Sequence, residues 1–252
     1  MEDLKNLKCL LPDAQKVLKE LIKHSFLSKY VLVGGSALSL HLCHRKSEDL
    51  DFFTYENNFN TDEILGLFKY FQKKEILNRT NELIDVLLDG VKVTFFNAHW
   101  DFLRPVKISN FNLATLEQIA IMKTNVLFLR AKYRDYYDLY VITKEFGLEK
   151  AINEASRLYN KQTKDGRECF MFNKTNFLKY AIDMDSIKED KVPSLLKPKY
   201  NISKSDMQYF FKEKIKEYVS QTMQKIKENI TEQEDAFTKE LNERLNNGRG
   251  NG

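Results

Sequence analysis

Apolar residues follow two different spacings along the chain, and the change of spacing divides it into two parts. Between residues 30 and 110, short runs are alternating or continuously apolar, whereas later residues recur every three or four positions. The first pattern is typical of strands and the second of amphipathic helices. We therefore predict an α/β (α+β) protein, with a small mixed sheet flanked by helices in an N-terminal head and a helical C-terminal half.

Local signals place several elements. Asp89-Gly90, between the apolar runs 83–88 and 91–96, predicts a hairpin with a type I′ turn, because both central residues need positive φ. Thr115 and Gln118 form a capping box that opens a helix.

Three further helices are predicted from breakers and caps. Pro12 interrupts a helical pattern over residues 1–24, with Asp13 as a candidate N-cap. Thr61 is the expected cap of a helix over 61–73. Gly147 ends a helix over 133–146.

The C-terminal part carries a long apolar stripe, which we expect to pack internally; the alternative is a dimer seam, which the lack of sustained a/d heptads disfavours. Its members are Met207, Phe211, Ile215, Val219, Met223, Ile226, Ile230, Phe237, Leu241 and Leu245. The predicted divisions are a head over 1–110, a helical region over 111–200, an amphipathic helical segment over 201–245 and a disordered tail over 246–252.

Composition narrows the class of protein. The 252 residues carry 40 Lys and Arg against 36 Asp and Glu, and only 9 Gly and 4 Pro, which excludes linker-rich and collagen-like chains. We find no secretory signal and no stretch apolar enough to span a membrane, so we expect a cytoplasmic protein. Cys9, Cys43 and Cys169 are far apart and suggest neither a disulfide framework nor a zinc site.

The most informative segment joins a glycine turn to two carboxylates. Gly34-Gly35-Ser36 follows a short apolar strand and opens a helix, an arrangement that suits phosphate binding through backbone N–H groups. Asp49 and Asp51 lie two residues apart on a predicted strand, which places both on one face. Two neighbouring carboxylates indicate a divalent cation such as Mg²⁺, which would bridge triphosphate oxygens.

A second segment is locally positive. Residues 123–134 contain Lys123, Arg130, Lys132 and Arg134 and no anion, and could hold triphosphate or RNA. Lys123 and Arg130 share a helical face. Arg134 and Asp138 are four residues apart, so the alternatives for them are a place in the site or a pair that braces the helix.

Together these segments carry a family resemblance. The order Gly34-Gly35-Ser36, Asp49, Asp51 resembles the signature of the polymerase-beta-type nucleotidyltransferase superfamily. The wider string over 34–53, with the Lys123 helix and the Arg134-Asp135-Tyr136-Tyr137-Asp138-Leu139 block, resembles its AbiEii/MenT-type branch, the toxins of type IV toxin–antitoxin pairs. The resemblance covers about residues 25–145.

The resemblance implies a metal-dependent transfer of a nucleoside monophosphate from NTP, with Mg²⁺ or Mn²⁺, to an acceptor such as RNA or the 3′ end of tRNA, and a cognate antitoxin. The implied metal ligands are Asp49 and Asp51. The candidate site residues are, for catalysis, Asp49, Asp51 and Asp85; for NTP binding, Gly34, Gly35, Ser36, Lys123, Arg134 and Asp138; and for substrate contact, His44, Arg45 and Arg130.

One position departs from the superfamily pattern. Thr94 stands where a third carboxylate is expected, and threonine is neither a base nor a strong metal ligand. Either Asp85 or Asp89 supplies the missing group or catalysis proceeds without it; otherwise the protein binds nucleotide or RNA without turnover. A transferase acting on a small molecule or a protein is a further alternative.

Overall fold

The computed structural model describes residues 6–54, 59–98, 104–108, 111–129, 132–159, 172–188 and 195–247. The strands are β1 Val31–Val33, β2 Leu50–Thr54, β3 Lys74–Arg79, β4 Leu83–Leu88, β5 Val91–Asn97, β6 Val106–Ile108 and β7 Phe111–Leu113. The α-helices are α1 Pro12–Leu21, α2 Gly34–Leu42, α3 Thr61–Leu65, α4 Leu116–Leu129, α5 Tyr133–Phe146, α6 Leu148–Tyr159, α7 Lys174–Ile182 and α8 Lys204–Asn247.

The strands form one mixed sheet in the order β3-β4-β5-β2-β1-β7-β6. Strands β3, β4 and β5 are antiparallel neighbours, β5 is parallel to β2, and β2 is antiparallel to β1. Strand β1 is parallel to β7, which pairs with β6 as a hairpin. The sheet in the first part of the chain and the helices after it confirm the predicted fold class.

The strongest local predictions are confirmed. Asp89 and Gly90 both have positive φ, at 47° and 88°, in the turn between β4 and β5. The backbone N–H of Thr115 donates to the Gln118 side chain, and the N–H of Gln118 donates to Thr115 Oγ1, which is the reciprocal capping box before α4.

Several boundaries differ from the prediction. Pro12 is the first residue of α1 instead of a break, and Leu11 occupies the N-cap position assigned to Asp13. Asn60, and not Thr61, caps α3, because its side chain accepts the N–H groups of Asp62 and Glu63. Helix α3 ends at Leu65 and continues as a 3-10 turn to Tyr70, before a strand that the sequence pattern did not predict, β3.

The cysteine prediction is wrong for one pair. Cys9 and Cys43 are joined in a disulfide, with their Cα atoms 5.3 Å apart. Cys43 ends α2 in the left-handed conformation, with a φ of 50°, so the bridge ties the end of α2 to the 3-10 turn that precedes α1. Cys169 lies outside the described residues.

Two hydrophobic cores meet at α4. Ile119, Ala120 and Met122 belong to the core beneath the sheet, whereas Ile121 and Leu127 belong to the core among α5, α6, α7 and α8. A helix that is apolar on both sides is typically buried between two layers. Helix α4 therefore joins the head to the helical half.

Helix α8 is longer than the body to which it packs. Met207, Phe211 and Tyr218 are buried in the second core, but every residue from 223 to 244 is exposed. The expectation that the whole C-terminal stripe packs internally is therefore wrong beyond Val219. Residues 246 and 247 of the predicted tail belong to α8, and 248–252 lie outside the described residues.

Candidate functional site

Strand β1 passes directly into α2 at Gly34, and this glycine is required there for two reasons. Its φ is +69°, which L residues with side chains rarely adopt. A Cβ on Gly34 would also lie 2.7 Å from Oδ2 of Asp51, the neighbour of Val33 across the β1–β2 ladder. The turn therefore leaves room for the Asp51 carboxylate against the start of α2.

The next two residues, Gly35 and Ser36, both contact the loop that precedes β2. A Cβ on Gly35 would lie 2.5 Å from Nη2 of Arg45, so the guanidinium occupies the space that a side chain would fill. The Ser36 hydroxyl donates to the backbone carbonyl of Asp49 and is buried. Asp49 itself precedes β2, which begins at Leu50, so only Asp51 of the two carboxylates belongs to that strand.

A polar row crosses three neighbouring strands. Asp51 on β2 lies opposite Thr94 on β5, and Thr94 lies opposite Asp85 on β4. Thr94 Oγ1 donates to Asp85 Oδ1 at 2.6 Å, and Lys92 Nζ lies 3.4 Å from Asp85 Oδ2. Residues in register on neighbouring strands share a face of the sheet. The Asp85 carboxylate on β4 therefore contacts β5, the strand on which a third carboxylate is expected.

These side chains open into a cavity of about 390 Å³ between the sheet and α4. Its lining includes Gly34, Gly35, Asp51, Asp85, Lys92, Thr94, Lys123 and Asn125, with apolar walls from Val33, Phe53, Leu83, Phe96, Ile119, Met122 and Val126. A glycine turn, two carboxylates and two cations thus converge on one space. Concave sites with few convergent polar groups and apolar walls are typical of ligand-binding pockets.

A buried ionic network lies behind the cavity and is centred on Asp138 of α5. Arg45 binds this carboxylate at two points, Nε to Oδ1 at 2.8 Å and Nη2 to Oδ2 at 2.9 Å. His44 Nε2 lies 2.9 Å from Oδ1, and Lys123 Nζ lies 2.8 Å from Oδ2 and 3.0 Å from Asp135 Oδ1. The network joins the loop before β2 to α4 and α5.

Burial and charge set the protonation states of this network. Burial acts to raise the pKa of Asp138, but Arg45 and Lys123 outweigh it and hold that pKa well below its ordinary value. Burial likewise opposes the charge of Lys123, yet Asp138 and Asp135 raise its pKa. Burial lowers the pKa of His44 despite its contact with Asp138, so this imidazole is neutral at neutral pH.

The predicted site residues therefore fall into three groups. Gly34, Gly35, Asp51, Asp85 and Lys123 line the cavity, whereas His44, Arg45 and Asp138 lie in the buried network. The third group lies at the loop before β2, where Arg134 Nη1 lies 3.1 Å from Glu48 Oε1 and Arg134 Nη2 lies 3.6 Å from Asp49 Oδ2. Arg130 lies outside the described residues.

Sequence reasoning missed two features of the site. It did not assign Lys92 to the cavity, although Lys92 alternates with Thr94 along β5 and so faces the same side. It also did not foresee that Gly35 accommodates Arg45, because no local pattern links these positions.

The carboxylates of the site can hold a metal ion only if a bound ligand supplies further oxygen atoms. Across the described ranges, no group of three or more His, Cys, Asp or Glu side chains is arranged to hold a metal ion. Asp51 lines the cavity and Asp49 directly precedes the same strand, so these two carboxylates are the oxygen donors that the site offers. Hard divalent cations accept carboxylate and phosphate oxygens together, so triphosphate can supply the missing ligands.

Within the part of the chain that the structure describes, no helix has the length and apolar character needed to cross a bilayer.

The chain matches a family model, a relative and a solved structure. The family model "Nucleotidyl transferase AbiEii toxin, Type IV TA system" matches residues 16–99 and 97–243. An uncharacterized protein of Aquifex aeolicus (strain VF5) is 25% identical over 214 residues, covering 83% of this chain and 98% of that protein. The crystal structure of JHP933 from Helicobacter pylori superposes with a TM-score of 0.54 at 18% identity, covering 88% of this chain and 99% of that one, and so shares the fold.

Proposed function

The chain belongs to the AbiEii family of nucleotidyltransferase toxins of type IV toxin–antitoxin systems, and we propose that it transfers a nucleoside monophosphate from NTP to RNA. The acceptor hydroxyl would attack the α-phosphorus, and the bond to the β-phosphate oxygen would break to release pyrophosphate. The observation that carries the proposal is the convergence of Gly34, Gly35, Asp51 and Lys123 on one cavity.

The cavity offers the triphosphate two kinds of donor. Backbone N–H groups at the start of α2 are unsatisfied within the helix and suit phosphate oxygens. An ammonium group has three donors, and Lys123 directs two of them to Asp135 and Asp138. The third is available to a phosphate in the cavity that Lys123 lines, and the two carboxylates hold the ammonium in place.

Asp49 and Asp51 would hold Mg²⁺ or Mn²⁺ together with triphosphate oxygens. When bound, such an ion neutralises charge that develops on the transferring phosphoryl group and the leaving pyrophosphate. Ser36 supports this arrangement because it bonds the carbonyl of Asp49, and Arg134 contacts Asp49 from α5.

Asp85 is our candidate for the third carboxylate, which accepts the proton of the acceptor hydroxyl. Thr94 donates a hydrogen bond to Oδ1 of Asp85, and Lys92 lies near Oδ2. These contacts direct the Asp85 carboxylate toward the cavity from β4, the strand next to β5. Thr94 thus acts as a positioning residue. This arrangement favours turnover over a binding protein that has lost its base.

The buried network supports the site in this scheme, because the polar groups of Asp138, Arg45 and His44 are enclosed by one another and by Lys123.

RNA is favoured as acceptor by Lys92 at the cavity and Arg134 beside the loop before β2, because cations suit a phosphate backbone. The 3′ end of tRNA and a cognate antitoxin partner are expectations of the family.

The test is transfer of label from each α-labelled NTP, with Mg²⁺, to total bacterial RNA. We expect labelled RNA with the wild type and a loss on the order of 10²–10⁴-fold with Asp51→Asn and with Asp85→Asn. Asp13→Asn, a change to an exposed carboxylate on α1, is the matched control and should retain activity.

Each other outcome has a defined meaning. Label on protein or on a small molecule would retain the transferase and reject RNA as acceptor. Full activity of Asp85→Asn would remove Asp85 from catalysis, whereas absence of both transfer and NTP binding in the wild type would overturn the proposal.

A further inference from the structure

The projecting half of α8 carries an apolar stripe that no described residue covers. Five apolar side chains lie on this stripe, with exposures between 46% and 67%: Met223, Ile226, Ile230, Phe237 and Leu241. Contiguous exposed apolar residues typically mark an interaction surface.

The stripe points away from the body of the protein. Met207, Phe211 and Tyr218 mark the side of α8 that packs on the second core. Since successive residues turn by about 100°, the centre of the stripe is rotated by roughly a third of a turn from that side. A neighbouring helix can therefore lie along the stripe without meeting the core-facing side of α8.

The stripe has an internal symmetry that identifies its partner. Met223 and Phe237 lie seven residues before and after Ile230, and Val219 and Leu241 lie eleven residues before and after it. These five positions read alike in both directions from Ile230 and are complementary to themselves in an antiparallel arrangement, whereas Ile226 has Glu234 at the equivalent position. We propose that α8 pairs with α8 of a second copy of this chain, antiparallel, with the two-fold axis at Ile230.

This pairing gives Val219, Met223, Ile230, Phe237 and Leu241 an apolar neighbour each. Met223 packs on the partner's Phe237, Val219 packs on the partner's Leu241, and Ile230 packs on its own counterpart. Because of the symmetry, each of the first two contacts occurs twice.

Charge favours the same arrangement. Lys227 and Glu234 flank the stripe on one edge, three residues before and four residues after Ile230. Equal edges face each other in an antiparallel pair, so Lys227 lies beside the partner's Glu234, again twice. These rim pairs contribute to orientation more than to affinity.

The area is sufficient for a specific interface. Burial of the five exposed side chains removes roughly 500–600 Å² of apolar surface per copy, and roughly 1,100 Å² for the pair, before any polar rim is counted. That value reaches the lower limit for specific assemblies, so a dimer held by α8 alone should dissociate on dilution.

The first test measures the mass of the full chain by light scattering and sedimentation over a wide range of concentrations. We expect a dimer that dissociates on dilution in the wild type. Ile230→Glu should be a monomer throughout, because it places two carboxylates at the axis.

The matched control is Gln221→Glu, which adds the same charge to the opposite, exposed side of α8 and should dimerise as the wild type does. Equal unfolding temperatures of the variants, measured at a concentration where the wild type is dissociated, would show that the change is not misfolding. A wild type that is monomeric at every concentration would overturn the proposal and leave the stripe to a different protein, and a dimer that Ile230→Glu does not weaken would overturn it as well.

Cysteine cross-linking tests the direction of the pair. Ile230→Cys should form a covalent dimer on mild oxidation, because the two copies of residue 230 meet at the axis. Met223→Cys should not, because fourteen residues at 1.5 Å per residue separate its two copies by about 21 Å along the helices. Cross-linking at both positions would indicate a parallel pair, and cross-linking at neither would exclude the axis at Ile230; either result would overturn the antiparallel arrangement.

Discussion

Gly34 gives the most direct test of the site at the scale of a single residue. Gly34→Ala introduces a Cβ at a φ of +69° and 2.7 Å from Asp51 Oδ2, so either the turn or the carboxylate must move. We expect a loss of about 1–3 kcal/mol in the free energy of unfolding, together with a large loss of transfer activity.

Denaturant unfolding and label transfer measure these two effects. Gly66→Ala is the control, since nothing lies within 4 Å of a Cβ at that position and its φ is −56°. Full transfer activity in Gly34→Ala would show that the position of Asp51 is not critical.

His44 predicts how stability depends on pH. Burial lowers its pKa in the folded state, so below about pH 6.5 the unfolded chain binds a proton that the folded chain does not. Stability therefore falls as pH decreases below that value, by up to about 2 kcal/mol from this group between pH 7 and pH 5. Asp138, whose folded pKa is depressed, adds a second loss below its ordinary pKa of 3.8.

The measurement is the free energy of urea unfolding of the wild type and of His44→Gln at pH 7 and pH 5. The glutamine can still donate to Asp138 but does not titrate, so its stability should fall less over this interval. Equal decreases in the two proteins would exclude His44 as the titrating group.

At the scale of elements, the disulfide contradicts the expectation from the sequence that the cysteines are not paired, and a count of free thiols tests it. Cys9 and Cys43 close a loop with a separation of 34 residues, which in the chain-entropy account stabilises by about 3–4 kcal/mol. We expect one free thiol, that of Cys169, in the protein denatured without reductant, and a lower unfolding temperature for Cys9→Ala. Three free thiols would show that the pair is reduced.

The elements that the sequence predicts well are those with local signals. The β4–β5 hairpin, the capping box of α4 and the helix from Tyr133 to Phe146 each carry their own turn, cap or breaker, and each is present. Strand β3 carries no such signal, because all six of its residues are exposed at the sheet edge, and it exists through its pairing with β4.

The same distinction applies to the candidate site. The spacing of Gly34, Gly35 and Asp51 is local, and these residues do meet at one cavity. The contact between Arg45 and Asp138 joins residues 93 positions apart, and the bond from Thr94 to Asp85 depends on strand register. Tertiary contacts of this kind leave no periodic pattern in the chain, so sequence reasoning identified the residues without their partners.

At the scale of the whole molecule, shared packing makes the head and the helical half one cooperative unit. Helix α4 contributes to both hydrophobic cores, and the network around Asp138 joins the loop before β2 to α4 and α5. Two parts that share a buried helix and a buried ionic network cannot unfold separately without exposing both.

This coupling predicts that damage in the helical half destabilises the sheet. Phe211→Ala removes a fully buried ring from the second core and should cost about 3–5 kcal/mol. In native-state hydrogen exchange, the amides of β5 should lose as much protection as those of α5, because both exchange through the same global unfolding. Tyr209→Ala, which truncates an exposed ring two residues away, should leave both unchanged. Loss of protection in α5 without loss in β5 would show that the two halves unfold independently, and that the cavity between them can open without unfolding the sheet.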